Sequence, residues 1–349
     1  MLRKLALAAL AVVSVGACGG SASTPAPANS SSSSCSTPFQ FKFRLNWVLD
    51  TEQVPYYTAI DKGWYKEACL DPQFQAGNGS NTAVQLVGNG SADLGVADAI
   101  SIIPGQGQGL PVTAIGTVFQ HNAFGLVVRE AALTADQKKQ DKLDPQVLYG
   151  KTFGAVPAGS PYILWQAFAK QQNLDTSKIK QVTVSAPGYA EMATGKVDFL
   201  ANFFTAKAVL DGMGVPVKIV KGEDFGQKAY GLTYIGNNDF LKAHPQHVKD
   251  FLRVTQRALQ YTTDHPEEGV KALCKTNQAL CQDQHNLDVN VEQYKETYPL
   301  YPNLTKGKPM LCIDTKVWQA TTDVVKQSGN TATLPDPSKS FTNQYLSGC

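Results

Sequence analysis

The chain predicts an α/β fold of two lobes, each a mostly parallel sheet flanked by helices, with extra helices at the C-terminal end. Three observations carry this. From residue 39, strand-like and helix-like segments alternate, which argues for a largely parallel sheet with helices on both faces. The alternation restarts in a second block after "HNAFGLVVRE". After "AYGLTYIG" the pattern becomes purely helical. With 349 residues and 43 % hydrophobic content, the chain can fill one large or two medium cores.

The first block opens with "FQFKFRL", apolar at every second position and hence a strand. "VPYYTAIDKGWYKEA" has helical spacing and ends near Gly63 or shortly after. An extended piece over 72–75 and the turn "AGNGSN" follow. Next come the helix "TAVQLVGN", the strand "ADLGVA", the helix "DAISIIPGQGQ" and the strand "VTAIGTVF".

In the second block the polar stretch 131–146 reads as a surface excursion. "KTFGAVP" is a strand, "SPYILWQAFAKQQNL" a helix and "IKQVTVS" a strand. "GYAEMATG" and "TAKAVLDGM" are helices around the strand "KVDFLANFF", and "PVKIV" is the last strand. "AFGLVVRE" and "AYGLTYIG" each place a Gly between aromatic and apolar residues where one pattern ends, and read as crossings between lobes. The first lobe is therefore expected over 39–121 and 232–349, and the second over 122–231. The closing helices fall at 245–264, 266–275, 287–297 and 314–327, with Pro245 and Pro266 at helix starts, where a missing N–H costs little.

Residues 1–17 have the basic start, short apolar run and small residues of a secretory signal. "VGAC" resembles a bacterial lipobox, which implies lipidation of Cys18. Residues 18–38 then form a flexible linker to a lipid anchor at the extracytoplasmic face of the cell membrane. The remaining six cysteines are an even number in an exported chain, which suggests three disulfides. Their pairing is open; Cys35–Cys69, Cys274–Cys281 and Cys312–Cys349 is the expectation. No CxxC pair exists, so zinc is disfavoured. The formal net charge is +2 with no basic run, so a nucleic-acid partner is not expected.

Several stretches together resemble the substrate-binding proteins of ABC importers, closest to the binders of thiamine pyrimidine precursors, sulfonates and nitrate. They are "LNW" followed by "YYTAIDKGWYKEACLD", then "GNGSADLGVAD", "GKTFGAVPAGS", "ATGKVDFLA" and "DHPEEGVKAL", covering residues 40 to about 275. The resemblance implies a type II periplasmic-binding-protein fold and a cleft between lobes, at strand carboxyl ends and helix N-termini. It also implies a monomer that serves an ABC permease and its ATPase and needs no cofactor.

The cleft placed in this way gathers candidate ligand contacts. Trp47, Tyr56, Tyr162, Phe203 and Phe204 can supply flat stacking surfaces, while Tyr57, Trp64 and Trp165 read as core. Asp50 and Asp98 are acceptors for ligand N–H or ammonium groups, and Glu52 reads as a solvated loop acid. Ser80 and Ser160 open helices, where they cap or offer hydroxyls; Gln53, Asn81 and Asn202 complete the polar set. No Arg lies in these segments, so a thiamine-type aminopyrimidine is expected ahead of a sulfonate or nitrate, with a flavin fitting the same chemistry.

The "LNW" start also resembles fungal pyrimidine synthases, whose pattern has a cofactor lysine, a His in the opening segment and a cysteine-rich iron motif. Here Ala97 or Asp98 occupies the lysine region and Gln53 the His position, and no cysteine cluster exists. Catalysis is therefore not expected. "GQGQG" follows a helix, the wrong context for a dinucleotide loop, and "HPQH" lacks a third metal ligand.

Overall fold

A computed structural model describes residues 35–157, 159–329 and 333–349. The expected signal peptide, the expected lipidation site Cys18 and all but the last residues of the expected linker lie outside the described residues.

The first sheet is built from β1 (Phe39–Arg44), β2 (Leu70–Gln75), β3 (Leu94–Asp98) and β4 (Val112–Thr117). The second holds β5 (Phe124–Arg129), β6 (Thr152–Ala155), β7 (Lys180–Thr183), β8 (Phe199–Phe203) and β9 (Val217–Lys221). The chain then returns to the first sheet as β10 (Leu232–Asn237). Strand orders are β2-β1-β3-β10-β4 and β7-β6-β8-β5-β9. β10 runs antiparallel to β3 and β4, and β5 antiparallel to β8 and β9. Both sheets are thus mixed, and the opposed strand in each is one of the two segments read as crossings.

The helices of the first half are α1 (Val54–Asp61), α2 (Trp64–Glu67), α3 (Ser80–Gly88), α4 (Ala99–Gly107), α5 (Ala135–Lys139) and α6 (Ser160–Gln171). α7 (Tyr189–Ala193), α8 (Ala206–Gly212) and α9 (Asn238–Ala243) follow. The C-terminal set is α10 (Pro245–Asp264), α11 (Pro266–Cys274), α12 (Gln284–Lys295) and α13 (Thr315–Gln327). Gly63 breaks the first predicted helix into α1 and α2, because it sits at φ 73°, which a side chain resists.

Local pattern explains packing. Along β1, Phe41 and Phe43 are buried while Gln40 and Lys42 face water. Each buried ring is worth about 1.5–3 kcal/mol. They meet α10, whose Val248, Phe251, Leu252, Thr255, Ala258, Leu259 and Thr262 form one apolar stripe at helical spacing. The C-terminal helices reach both lobes: α12 packs on α8, and α13 on both α4 and α6. Trp318 of α13 is fully buried in a core shared by β4, β5 and α6.

Cys274–Cys281 and Cys312–Cys349 are bonded as expected. The third bridge is not formed: Cys35 and Cys69 remain thiols. Phe39 N donates to Cys69 O at 2.8 Å, which sets the segments of Cys35 and Cys69 side by side, but no bond joins the sulfurs.

Candidate functional site

The site grows from the carboxyl ends of strands in both sheets. After β1 the chain folds back through residues 45–53. Asp50 caps the turn Thr51–Gln53: its carboxylate accepts from Glu52 N at 3.0 Å, and Gln53 Oε1 accepts from Asp50 N at 2.8 Å. This capping box fixes Asp50 and Glu52 as neighbours. The loop after β2 lies against the same segment. Gly77 N donates to Trp47 O and Gly79 N to Asn46 O, each at 2.7 Å. A Cβ on Gly77 would lie 2.2 Å from Leu45 O, so only glycine permits this approach. Trp47 is held half-buried on the cavity wall.

Asp98 ends β3 and is 1 % exposed. Ser80 Oγ donates to its Oδ2 at 3.1 Å, and Asp98 N donates to Ser80 Oγ at 3.0 Å. Ser160 Oγ, at the start of α6 in the other lobe, also donates to Oδ2. Oδ1 is buried with no hydrogen-bond partner among the described residues. Neither serine caps its helix; the N-cap positions belong to Gly79 and Gly159.

The second lobe adds Val156 beyond β6, Pro187 and Tyr189 beyond β7, and Asn202 and Phe203 at the end of β8. Asn202 is anchored by accepting from Phe203 N at 2.7 Å and donating to Pro187 O at 3.3 Å. Gln293 comes from α12 and Thr297 from the turn just after it. Together these residues surround a cleft of about 790 Å³, counted with the solvent at its mouth.

Three carboxylates face this cleft and, among the described lining residues, no Lys, Arg or His does. Burial pushes Asp50 and Asp98 up to about 6. Burial also raises Glu52 well above its ordinary range, reinforced by the Asp50 charge and opposed by the bond from Asn46 Nδ2 at 3.0 Å. Such acids await a donor or a cation.

Of the expected contacts, Trp47, Asp50, Ser80, Asp98, Ser160, Asn202 and Phe203 line the cleft. Gln53, Tyr56, Asn81 and Tyr162 do not. Gln53 is spent in the capping box, and Tyr56 is buried against Phe43, Phe74 and Tyr234. Asn81 projects to the surface, and Tyr162 stacks on Phe153 and bonds Gln181 within the second lobe. Glu52 is a correction in the other sense: it lines the cleft rather than standing in solvent. The D-T-E-Q capping pattern could have placed it beside Asp50. Tyr189 could have been found as Trp47 was, as an aromatic just past a strand. Gln293 and Thr297 carried no local signal.

A family model described as NMT1/THI5 like matches residues 50–269. A 4-amino-5-hydroxymethyl-2-methylpyrimidine phosphate synthase of Legionella pneumophila is 25 % identical over 240 residues, 68 % of this chain and 73 % of that one. YtlA of Bacillus subtilis, named as a binding protein, is 24 % identical over 283 residues, 79 % of each chain. The solved periplasmic aliphatic sulphonate binding protein SsuA of Escherichia coli superposes with a TM-score of 0.66 at 14 % identity, over 90 % of this chain and 95 % of that one. That likeness shows the periplasmic-binding-protein fold. Among the described residues no helix is long and apolar enough to cross a membrane.

These relatives correct the expectation against catalysis. Proteins named as synthases, about 25 % identical, align with most of the chain, so the lack of one synthase pattern does not exclude catalysis. Departures at Gln53 and Asp98 from one synthase pattern do not separate the two roles.

Proposed function

Because the chain belongs to the NMT1/THI5 like family, we propose that it is the extracytoplasmic solute-binding component of an ABC importer, and that its solute is a small flat heterocycle bearing an amine. The observation that carries the ligand class is the cleft wall: Asp50, Glu52 and Asp98 with no cation among its described residues, beside Trp47, Tyr189 and Phe203. A carboxylate accepting from a ring amine gives oriented recognition, and three of them repel a sulfonate or nitrate. An aminopyrimidine of the kind for which the relatives are named meets these demands. A flavin shares the flat, hydrogen-bonding chemistry. The sulphonate binder supports the fold and the binding role but not its ligand, since this cleft lacks a positive side chain.

In this reading the lobes, 39–121 with 232–349 against 122–231, rock together around the solute, which stabilises the closed arrangement by contacts made only there. Cys18 carries the lipid anchor, and the monomer delivers its solute to a permease driven by an ATPase.

The test is calorimetric titration with 4-amino-5-hydroxymethyl-2-methylpyrimidine, followed by chromatography of the ligand released on denaturation. Saturable binding with the ligand recovered intact supports the reading. The synthase names of the relatives favour a second one, catalysis in the same cleft, and recovery of the pyrimidine phosphate from protein to which none was added would select it.

A further inference from the structure

Two helices from opposite lobes begin at one carboxylate. α3, of 9 residues, and α6, of 12, start at Ser80 and Ser160, and neither has a side-chain cap. A helix start presents the positive end of the helix dipole, which favours an anion; at α6 Pro161 has no N–H and Tyr162 N is bonded to Gly159 O, so the serine hydroxyls are the donors that meet one. That place is taken. Asp98 Oδ2 accepts from both serine hydroxyls, one from each lobe, and the side chain is 1 % exposed. No Lys, Arg or His of the described lining residues supplies a second countercharge.

We infer that Asp98 is a built-in anion that fills the two-helix cradle, so that the cleft excludes oxyanions and offers the free Oδ1 to a ligand N–H. The fold it shares includes a sulphonate binder, and one carboxylate at this junction turns the same pair of helix starts from an anion receptor into a donor receptor. Because Ser80 and Ser160 come from different lobes, the carboxylate is in place whenever the lobes meet. Oδ2 is spent on the two hydroxyls, and Oδ1, buried and unpartnered, is left for the solute. Asp98 then acts beside Asp50 and Glu52, and is the one of the three that occupies the helix pair. The inference deepens the proposed function by assigning the filled helix pair to one side chain, and rests on that reading only in taking this cleft as the binding site.

The test is calorimetry of wild type, Asp98→Ala and Asp98→Ser, each checked for folding by its thermal transition, with methanesulfonate and 4-amino-5-hydroxymethyl-2-methylpyrimidine as probes. Wild type should show no methanesulfonate binding at concentrations where a folded Ala or Ser variant binds it, a difference in affinity of about tenfold or more, the scale that two helix termini supply. The same variants should lose affinity for the aminopyrimidine. Methanesulfonate binding by wild type, or a folded variant with no gain, overturns the inference. A wild type that ignores the aminopyrimidine while the variants gain methanesulfonate leaves the cradle standing and removes only the proposed ligand.

Discussion

Thr51 Oγ1 donates to Gln293 Oε1 at 3.0 Å, joining the turn after the first strand to a helix 242 residues later. The bond is buried and stands at the edge of the cleft, where Thr51 lies between Asp50 and Glu52. Gln293 lies beyond the 50–269 match, so the far end of the chain completes the wall that the family segment begins.

Removing that link should therefore act on binding more than on folding. Gln293→Ala leaves the buried Thr51 hydroxyl without this partner, a cost of about 1–2 kcal/mol. Ligand affinity should fall about tenfold as the acidic turn loosens, while the thermal transition drops by only a few degrees. Titration of the variant beside a thermal melt checks both.

Buried acids make stability depend on pH. Asp98 is raised from 3.8 to about 6 by burial. Below the lower value both folded and unfolded chains hold the proton. Between the two, the folded chain keeps a proton that the unfolded chain has lost, so stability falls as pH rises and the contribution is gone above about 6. Asp98→Asn should remove this loss. Its stability relative to wild type should rise by about 2.4 kcal/mol between pH 4 and pH 8, on the scale of 1.36 kcal/mol per pH unit. Urea unfolding at both pH values measures the change. Asp50 and Glu52 are shifted in the same direction and give wild type the same trend.

Trp47 is the half-buried one of the four tryptophans; Trp64, Trp165 and Trp318 are buried in cores. Stacking of a flat ligand on Trp47 should change the intrinsic fluorescence on binding. Trp47→Phe should abolish most of that change with little loss of stability. An unaltered signal in the variant would place the ligand elsewhere.

Gly77→Ala probes the loop that holds Trp47. The added methyl would meet Leu45 O at 2.2 Å and Trp47 N at 2.6 Å, so the two loops must part. The expected cost is about 2–4 kcal/mol, with affinity lost alongside it. A melt and a titration of the variant decide this.

Much of the fold was legible because its signals are local. The β1 alternation, the α10 stripe, and Pro245 and Pro266 at helix starts each mark an element without long-range information. The two segments read as crossings showed only as places where the pattern changed; they are interior strands, β5 and β10, and their opposed direction had no local signal. The site was legible at or just past the carboxyl ends of strands, where Trp47, Asp98 and Asn202 lie. It was not legible where tertiary contact decides. Tyr56 looked like a stacking surface but enters an aromatic core, and Gln53 is consumed by a local cap. Gln293 joins the cleft only through packing of α12. The bond across lobes between Ser160 and Asp98 depends on two helix starts meeting, which no short window contains.

The most direct test of the acid-lined cleft is mass spectrometry of small molecules released by denaturing protein purified from its own host. The account predicts a flat nitrogen heterocycle carrying an amine, in stoichiometric amount. A sulfonate, nitrate or other oxyanion released in its place would contradict it.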